Sequence, residues 1–302
     1  MRRRAANTAH RGPERRAETI RRRTQLKIYI SADMEGISGI NSPEYVKVAD
    51  GRLYAEGRRL LTGDINAAVA GAFEGGADEV IVADMHGGSN NVIAQELDER
   101  ALLLVGAPCV PRFAFLDGSV DGVILLGYHA MNGTLMANLE HTMSSMSWHR
   151  FAVNGRAWGE LGIDATLAAE AGVPVVMASG DDKLCAEARA FLGDGVETAC
   201  VKQGLGRQRA LCLSVARGQR TVREHARRAV ERLMAGERFP LMELYERYTV
   251  SITYKFVPDA DAAANALGSR RVDGYTVEND YARLSQMYGG LWADMGTEQV
   301  IH

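Results

Sequence analysis

Five side chains that can bind metal ions stand at the ends of apolar segments or just after a predicted turn. They are Asp33, Glu35, His86, His129 and Glu160. Two imidazoles with three carboxylates form a mixed nitrogen and oxygen ligand set, which suits Zn²⁺, Mn²⁺ or Co²⁺, whereas a closed structural zinc site would favour thiolates. Five such ligands can hold two ions ~3.5–4 Å apart if one carboxylate bridges them. The residue types therefore predict an open metal centre.

The elements that must position these side chains alternate between apolar strands and amphipathic helices. Strands are predicted at residues 26–31, 79–83, 120–127 and 174–178, and helices at residues 52–74, 159–171 and 181–192. This alternation predicts an α/β fold with a mostly parallel, doubly wound sheet flanked by helices. Ligands of such a sheet bind beyond the carboxyl ends of its strands, where we expect the five side chains to meet. Asp33 and Glu35 are two positions apart, so extended backbone points both the same way.

The pattern changes in the second half of the chain. Asn154-Gly155 between two short strand-like segments is a strong hairpin signal. Residues 221–235 form a basic helical pattern, and Tyr248–Phe256 alternates as a half-exposed strand of an antiparallel sheet does. A helix from Asp259, a strand at 274–277 and a last helix from about Asn279 complete this part. We predict a catalytic α/β domain at 26–215 and a smaller α+β portion at 216–302.

The net charge of −3 conceals two unlike parts. Residues 1–25 carry nine arginines against two glutamates, a charge of +7, whereas the rest of the chain carries −10. A basic arm can bind nucleic acid or an anionic surface. We favour a disordered tail because the arm has no aromatic residues, and we predict no nucleic-acid partner. No apolar run reaches the ~18 residues of a membrane span, which argues against a membrane partner. Four scattered cysteines without a CxxC motif indicate reduced thiols in the cytoplasm.

An ordered set of motifs resembles the D-aminopeptidase family of dinuclear zinc peptidases, typified by the bacterial enzyme of the dipeptide-transport operon. The resemblance runs from about residue 27 to at least residue 214, and the first motif is specific on its own. The motifs are Asp33-Met34-Glu35-Gly36-Ile37-Ser38-Gly39, Asp84-Met85-His86, Gly127-Tyr128-His129-Ala130, His141, Gly159-Glu160-Leu161-Gly162, Gly180-Asp181-Asp182 and Val201-Lys202-Gln203.

The resemblance implies a role for each of the five ligands and two Zn²⁺ per chain. Asp33 would bridge the two metals. Glu35 and His86 would complete one metal shell, and His129 and Glu160 the other. Hydrolysis would proceed through a metal-activated water and release N-terminal D-amino acids from short peptides. Family members are cytoplasmic, ring-like homo-oligomers described as decamers, and the same assembly is expected here.

Two further residues are expected to act beside the metals. The resemblance makes His141 the catalytic residue, since an imidazole titrates near working pH and can carry a proton. Lys202 is one of only five lysines. It is interpreted either as a contact for the substrate's carboxylate or as an ordinary surface lysine. The segment 131–139 is one residue longer than in the family pattern, which affects the substrate pocket and leaves the metal ligands intact.

Two other functions fit the same residues. A metallo-amidase or esterase would use the same metal set on another acyl substrate, and a panel of D- and L-amino-acid amides and peptides would separate it from a peptidase. A metal-binding module without catalysis would bind tightly and turn nothing over. We favour the peptidase because a binding module has no need for His141 beside two open metals.

Overall fold

The computed structural model describes residues 25–48, 51–107 and 111–295. Residues 1–24, nearly all of the predicted basic arm, lie outside the described residues. The described strands are β1 (Lys27–Ala32), β2 (Glu79–Asp84), β3 (Ala101–Leu104), β4 (Gly122–Leu126), β5 (Trp148–Val153), β6 (Arg156–Ala157), β7 (Val175–Asp181), β8 (Glu197–Gly204), β9 (Ala210–Cys212), β10 (Tyr248–Tyr254), β11 (Arg270–Arg271) and β12 (Thr276–Tyr281). The described α-helices are α1 (Tyr54–Glu74), α2 (Glu160–Glu170), α3 (Asp182–Leu192), α4 (Val215–Met234) and α5 (Val257–Ala264).

A seven-stranded sheet lies at the centre, in the order β3-β2-β1-β4-β7-β8-β9. Its pairs are parallel except that between β8 and β9. The chain leaves β1 towards β2 on one side and returns to β4 on the other, so β1 stands at a topological switch point. Helices α1 and α4 supply side chains to the apolar core on one face, and α2 and α3 to the core on the other. The predicted doubly wound α/β fold is confirmed.

A second sheet, in the order β11-β12-β10-β5-β6, is antiparallel throughout. Its inner side chains, among them Phe151 and Val250, join the core that α2 and α3 line. The predicted hairpin is present: Asn154 and Gly155 have φ angles of 49° and 82°, as a two-residue turn with two left-handed positions requires. β5 pairs with β10 and α4 packs on α1, so strand pairing and helix packing connect the residues before 215 with those after it, and the division into 26–215 and 216–302 stays a prediction.

Two parts of the sequence prediction differ from the structure. The last helix expected from about Asn279 is wrong: β12 continues to Tyr281 by pairing with β10, and within the described residues the short 3-10 helices Leu284–Tyr288 and Trp292–Met295 follow. Strands β3, β8 and β9 were not predicted. β8 contains Glu197 and Lys202, so it lacks the apolar run that identifies a buried parallel strand. Among the described residues, no helix is both long and apolar enough to cross a bilayer.

The loop after β1 lies directly against the end of β4. The Asp33 amide donates to the carbonyl of Leu126 at 2.9 Å, and the Gly36 amide donates to the carbonyl of Gly127 at 2.7 Å. Gly127 itself has a φ angle of 70°. A Cβ at Gly36 would overlap the carbonyl oxygen of Tyr128. The backbones can therefore meet only because residue 36 has no side chain, and this contact fixes the position of Glu35.

Gly36→Ala is expected to destabilise the fold, because the new methyl group meets backbone rather than a side chain that can turn away. Overpacking of this kind costs about 1–3 kcal/mol in the free energy of unfolding. Urea denaturation measures it, with Gly274→Ala as the control, since a Cβ there meets no atom within 4 Å. Equal losses in the two variants would show that the close approach at residue 36 is not a constraint.

Candidate metal centre and active site

The structure brings all five predicted ligands to one edge of the large sheet. Asp33 and Glu35 follow β1, His86 follows β2, and His129 follows β4. Glu160 is the first residue of α2. This edge is where the carboxyl ends of the parallel strands lie, next to the switch point at β1. Side chains that are up to 127 positions apart in sequence therefore share one site.

The two oxygens of the Asp33 carboxylate face different imidazoles. Its Oδ1 lies 3.1 Å from His86 Nδ1, and its Oδ2 lies 3.5 Å from His129 Nε2. Glu35 Oε2 is 3.2 Å from His86 Nδ1, and Glu160 Oε1 is 3.3 Å from His129 Nε2. The five side chains thus form two groups that share Asp33. A carboxylate in this position can bridge two cations.

In each imidazole at the site, one ring nitrogen lies within hydrogen-bond distance of a backbone carbonyl oxygen. His86 Nε2 lies 2.9 Å from the carbonyl of Val46, His129 Nδ1 lies 3.1 Å from that of Ala130, and His141 Nδ1 lies 3.0 Å from that of Leu139. A carbonyl only accepts, so the facing nitrogen carries the hydrogen. In the neutral ring the other nitrogen then presents a lone pair towards the carboxylates, as histidine ligands of metals do.

Burial and mutual attraction shift the pKa values of these groups. Burial raises the pKa of Asp33, and the neighbouring Glu35 carboxylate adds to this. Burial opposes the imidazolium of His86, but Glu35 and Asp33 outweigh it and raise the pKa of His86 well above its usual range. Burial likewise opposes the charge of His129, whose pKa the Glu160 carboxylate raises to about 10. The carboxylates therefore draw positive charge into the site.

Two carboxylate oxygens at the site are buried without a hydrogen bond. They are Asp33 Oδ2 and Glu35 Oε2. A buried polar atom without a partner is costly, and a divalent cation would satisfy both oxygens. The candidate ligand atoms of Asp33, Glu35 and His129 lie within 4.8 Å of one another, as do those of His129, His141 and Glu160. The residues present therefore fit divalent transition-metal ions.

The structure places His141 beside the candidate ligands. Its ring stacks on that of His129 with centroids 3.9 Å apart and an interplanar angle of 10°. Its Nε2 lies 3.8 Å from Glu160 Oε1. This position suits a proton carrier beside the metals, and it also suits an additional ligand of the group that contains Glu160.

Sequence reasoning missed Arg112, which supports the site from behind Glu160. Its Nε and Nη2 donate to Asp164 Oδ1 and Oδ2 at 2.5 and 2.9 Å, and its Nη2 lies 3.6 Å from Glu160 Oε2. The Tyr128 hydroxyl also donates to Asp164, at 2.5 Å. Asp164 could have been found, because it follows Glu160 by four positions on one helix face. Arg112 lies outside the regular elements, where no periodic pattern marks it.

Lys202 is neither a surface lysine nor placed to bind a substrate. Only 2% of it is exposed, and its Nζ donates to the carbonyls of Glu35, Ile37 and Ile40 at 2.5, 3.2 and 2.5 Å. The three carbonyls take all three N–H donors of the ammonium. The surface interpretation is therefore wrong, and a substrate contact does not fit this geometry. Lys202 instead stabilises the loop that carries Glu35 by hydrogen bonds to its backbone carbonyls.

The acidic residues near the ligands act through backbone amides. Asp84 accepts from the amides of Asn91 and Val92 at 2.5 and 3.0 Å, so it caps the turn after β2 and does not orient the His86 ring. Asp181 accepts from the amides of Lys183 and Leu184 as the N-cap of α3. The same carboxylate also accepts from the Asn138 amide at 2.8 Å, which ties α3 to the segment before His141.

A cavity of about 350 Å³ opens over the ligands. Asp33, Glu35, His86, His141 and Glu160 line its floor, and apolar side chains of Val46, Leu139 and Met143 contribute to its walls. Lys47 and Arg207 also line it. This volume suits a small ligand or a short peptide.

Comparison with known proteins identifies the family. The D-aminopeptidase family profile matches residues 26–293, which include every residue of the site. This chain belongs to the D-aminopeptidase family. It is 38% identical to the D-aminopeptidase of Bacillus subtilis (strain 168) over 202 residues, which are 66% of this chain and 72% of that protein. The predicted family and hydrolase class are confirmed.

A solved structure of the same family has the same fold. It is the Zn-dependent D-aminopeptidase DppA from Bacillus subtilis, described as a self-compartmentalizing protease. The TM-score is 0.81 at 33% identity, and the match covers 87% of this chain and 94% of that one. The large mixed sheet and the smaller antiparallel sheet are therefore a fold of the D-aminopeptidase family.

Zinc binding at neutral pH is expected to release protons, because the carboxylates raise the pKa of His86 well above its usual range and that of His129 to about 10, and each imidazole must lose its proton to bind a metal. Calorimetric titration with zinc in buffers of different ionisation enthalpy measures the release. We expect about two protons to be released per chain, one from each imidazole. A binding heat that does not depend on the buffer would mean that His86 and His129 are already neutral in the metal-free protein, contrary to this prediction.

Proposed function

We propose that this chain is a zinc-dependent aminopeptidase that hydrolyses N-terminal D-amino acids from short peptides. The observation that carries the proposal is the convergence of three buried carboxylates with the imidazoles of His86 and His129 beside the cavity, with two carboxylate oxygens that lack a hydrogen bond. Family membership supports the choice of reaction, and the name of DppA supports the choice of zinc.

Two zinc ions per chain would be held by the five predicted ligands. Asp33 is proposed as the bridge, because its two oxygens face different imidazoles. Glu35 and His86 would complete one shell, and His129 and Glu160 the other. Mn²⁺ or Co²⁺ suits the same ligand set. Bound zinc supplies Lewis-acid activation of water and polarises the scissile carbonyl.

His141 is proposed to transfer the proton to the leaving amine or from the attacking water. The Leu139 carbonyl holds its Nδ1, so Nε2 is the nitrogen that exchanges a proton. The side chain lines the cavity and is 14% exposed, so a substrate can reach it. Stacking on His129 fixes the plane of the ring. Orientation of this kind is what general acid–base catalysis requires.

We also propose that the chain assembles as a ring-like homo-oligomer, a decamer, in the cytoplasm. The description of DppA as self-compartmentalizing supports an assembly that encloses its active sites. Reduced thiols at Cys185, Cys200 and Cys212 are compatible with a reducing compartment. Sedimentation equilibrium gives the number of chains, and a monomer at micromolar concentration would contradict the proposal. The amidase, esterase and non-catalytic alternatives have no specific observation in their favour.

The zinc-loaded protein is expected to cleave D-Ala-D-Ala and to leave L-Ala-L-Ala and D-alanine esters largely intact. Steady-state release of D-alanine measures the turnover, and removal of zinc by a chelator followed by its return is the control for metal dependence. Preferred turnover of esters or of L-peptides would replace the proposed substrate. Tight zinc binding without turnover of any of these substrates would favour the interpretation as a metal-binding module without catalysis.

His141→Ala is expected to keep both metals and to lose about 10²–10⁴-fold in kcat, which is the usual contribution of a positioned acid or base. Elemental analysis and steady-state kinetics on the same preparation measure both quantities. His149→Ala is a matched control, because His149 lies away from the ligands on β5. Loss of one zinc per chain in His141→Ala would instead make His141 a ligand.

A further inference from the structure

The cavity over the candidate metal ligands is lined by three arginine or lysine side chains, Lys47, Arg112 and Arg207. Arg112 is committed to Asp164 and Glu160. Lys47 and Arg207 line the cavity as well. The proposed mechanism assigns no role to Lys47 or Arg207, because the carboxylates and imidazoles are the proposed metal ligands.

Arg207 is held in place through both its backbone and its side chain. Its carbonyl accepts from the Leu139 amide at 2.9 Å and from Asn138 Nδ2 at 3.1 Å. Its Nη1 lies 3.0 Å from Glu140 Oε1 and donates to the Glu140 carbonyl. The segment that immediately precedes His141 therefore fixes the guanidinium on one side of the cavity.

The contacts of Arg207 leave part of its guanidinium available. Among the described residues, none accepts a hydrogen bond from its Nε or Nη2, and 46% of the side chain is exposed. Nε and Nη2 form the edge of a guanidinium that matches the two oxygens of a carboxylate. Because Nη1 is already fixed, a carboxylate that docks on this edge loses little conformational entropy to order the side chain.

The length of a dipeptide places its carboxylate in this same cavity. The C-terminal carboxylate lies one residue beyond the scissile carbonyl, a span of at most ~3.6 Å along the chain. A cation that recognises it must therefore stand close to the metal ligands. Arg207 meets this condition in that it lines the same cavity as Glu35, His86 and His141.

We propose that Arg207 binds the free C-terminal carboxylate of the substrate, so that the preferred substrates are dipeptides that end in a free acid. This rests on the proposed peptidase function and specifies its substrate class. Lys47 is the weaker candidate, because its exposed ammonium has a flexible stem and presents a point charge rather than a fork. Arg207 is a binding residue for the leaving part of the substrate, and His141 remains the residue that moves the proton.

The test compares two substrates with the same scissile bond, D-alanyl-D-alanine and D-alanyl-D-alaninamide, on the zinc-loaded protein. A hydrogen-bonded charge pair predicts that the wild type prefers the free acid by about 10–100-fold in kcat/KM. Arg207→Gln is expected to remove this preference through a higher KM for the acid, so that the acid and the amide are cleaved with similar kcat/KM. Arg209→Gln, on the same turn and outside the cavity lining, is the control and keeps the preference.

The remaining outcomes separate this proposal from the function on which it rests. An equal loss of kcat/KM on the acid and on the amide in Arg207→Gln would show that Arg207 only supports the segment 138–141. This result would overturn the proposal. No preference in the wild type, or a preference lost in Lys47→Gln instead, would also overturn it. If the wild type cleaves neither substrate, the proposed peptidase function itself fails. Equal zinc content in all variants is required for the comparison.

Discussion

The structure depends on the burial of three carboxylates at one point. Asp33 and Glu35 are 6% exposed and Glu160 is 8% exposed, and all three face the same cavity. Carboxylates so close together and so far from water need positive charge nearby. The chain supplies part of it with His86, His129 and Arg112, and metal cations would supply the rest. This requirement explains why the surrounding donors are fixed so completely.

The scaffold around the metal ligands is polar as well as apolar. The loop after β1 would leave carbonyl groups buried without donors, and the Lys202 ammonium satisfies three of them. Asp64 accepts from the Ser38 amide of the same loop at 2.9 Å. Burial lowers the pKa of Lys202 to about 8 and raises that of Asp64 to about 6, so each remains charged near neutral pH beside an opposite charge. The loop that carries Glu35 is thus held by two buried ions rather than by regular structure.

The sequence predicted the candidate ligands but not the residues that hold them in place, because those residues interact over long separations in sequence. Asp33 and His129 stand out because a polar residue that ends an apolar strand breaks a local pattern. Arg112 meets Asp164 over 52 positions, and Lys202 meets Glu35 over 167 positions, so no local period marks either pair. The same limit explains the wrong helix at Asn279, where pairing with β10 decided the conformation. The role of His141 depends on metals and substrate, so neither the sequence pattern nor the fold alone determines it.

The metal ligands and the proposed substrate contacts are held by different parts of the molecule. The sheet ends and α2 hold the ligands, whereas Arg207 and His141 belong to two segments tied to each other by the bond between the Leu139 amide and the Arg207 carbonyl. The Asn138 amide in turn donates a hydrogen bond to Asp181, the N-cap residue of α3. Peptide hydrolysis needs the scissile bond placed within a fraction of an ångström, and the two ends of a short substrate determine that placement. Changes in the segment 131–139 can therefore alter how Arg207 and His141 meet the substrate, while the sheet ends and α2 keep the five candidate ligands in place.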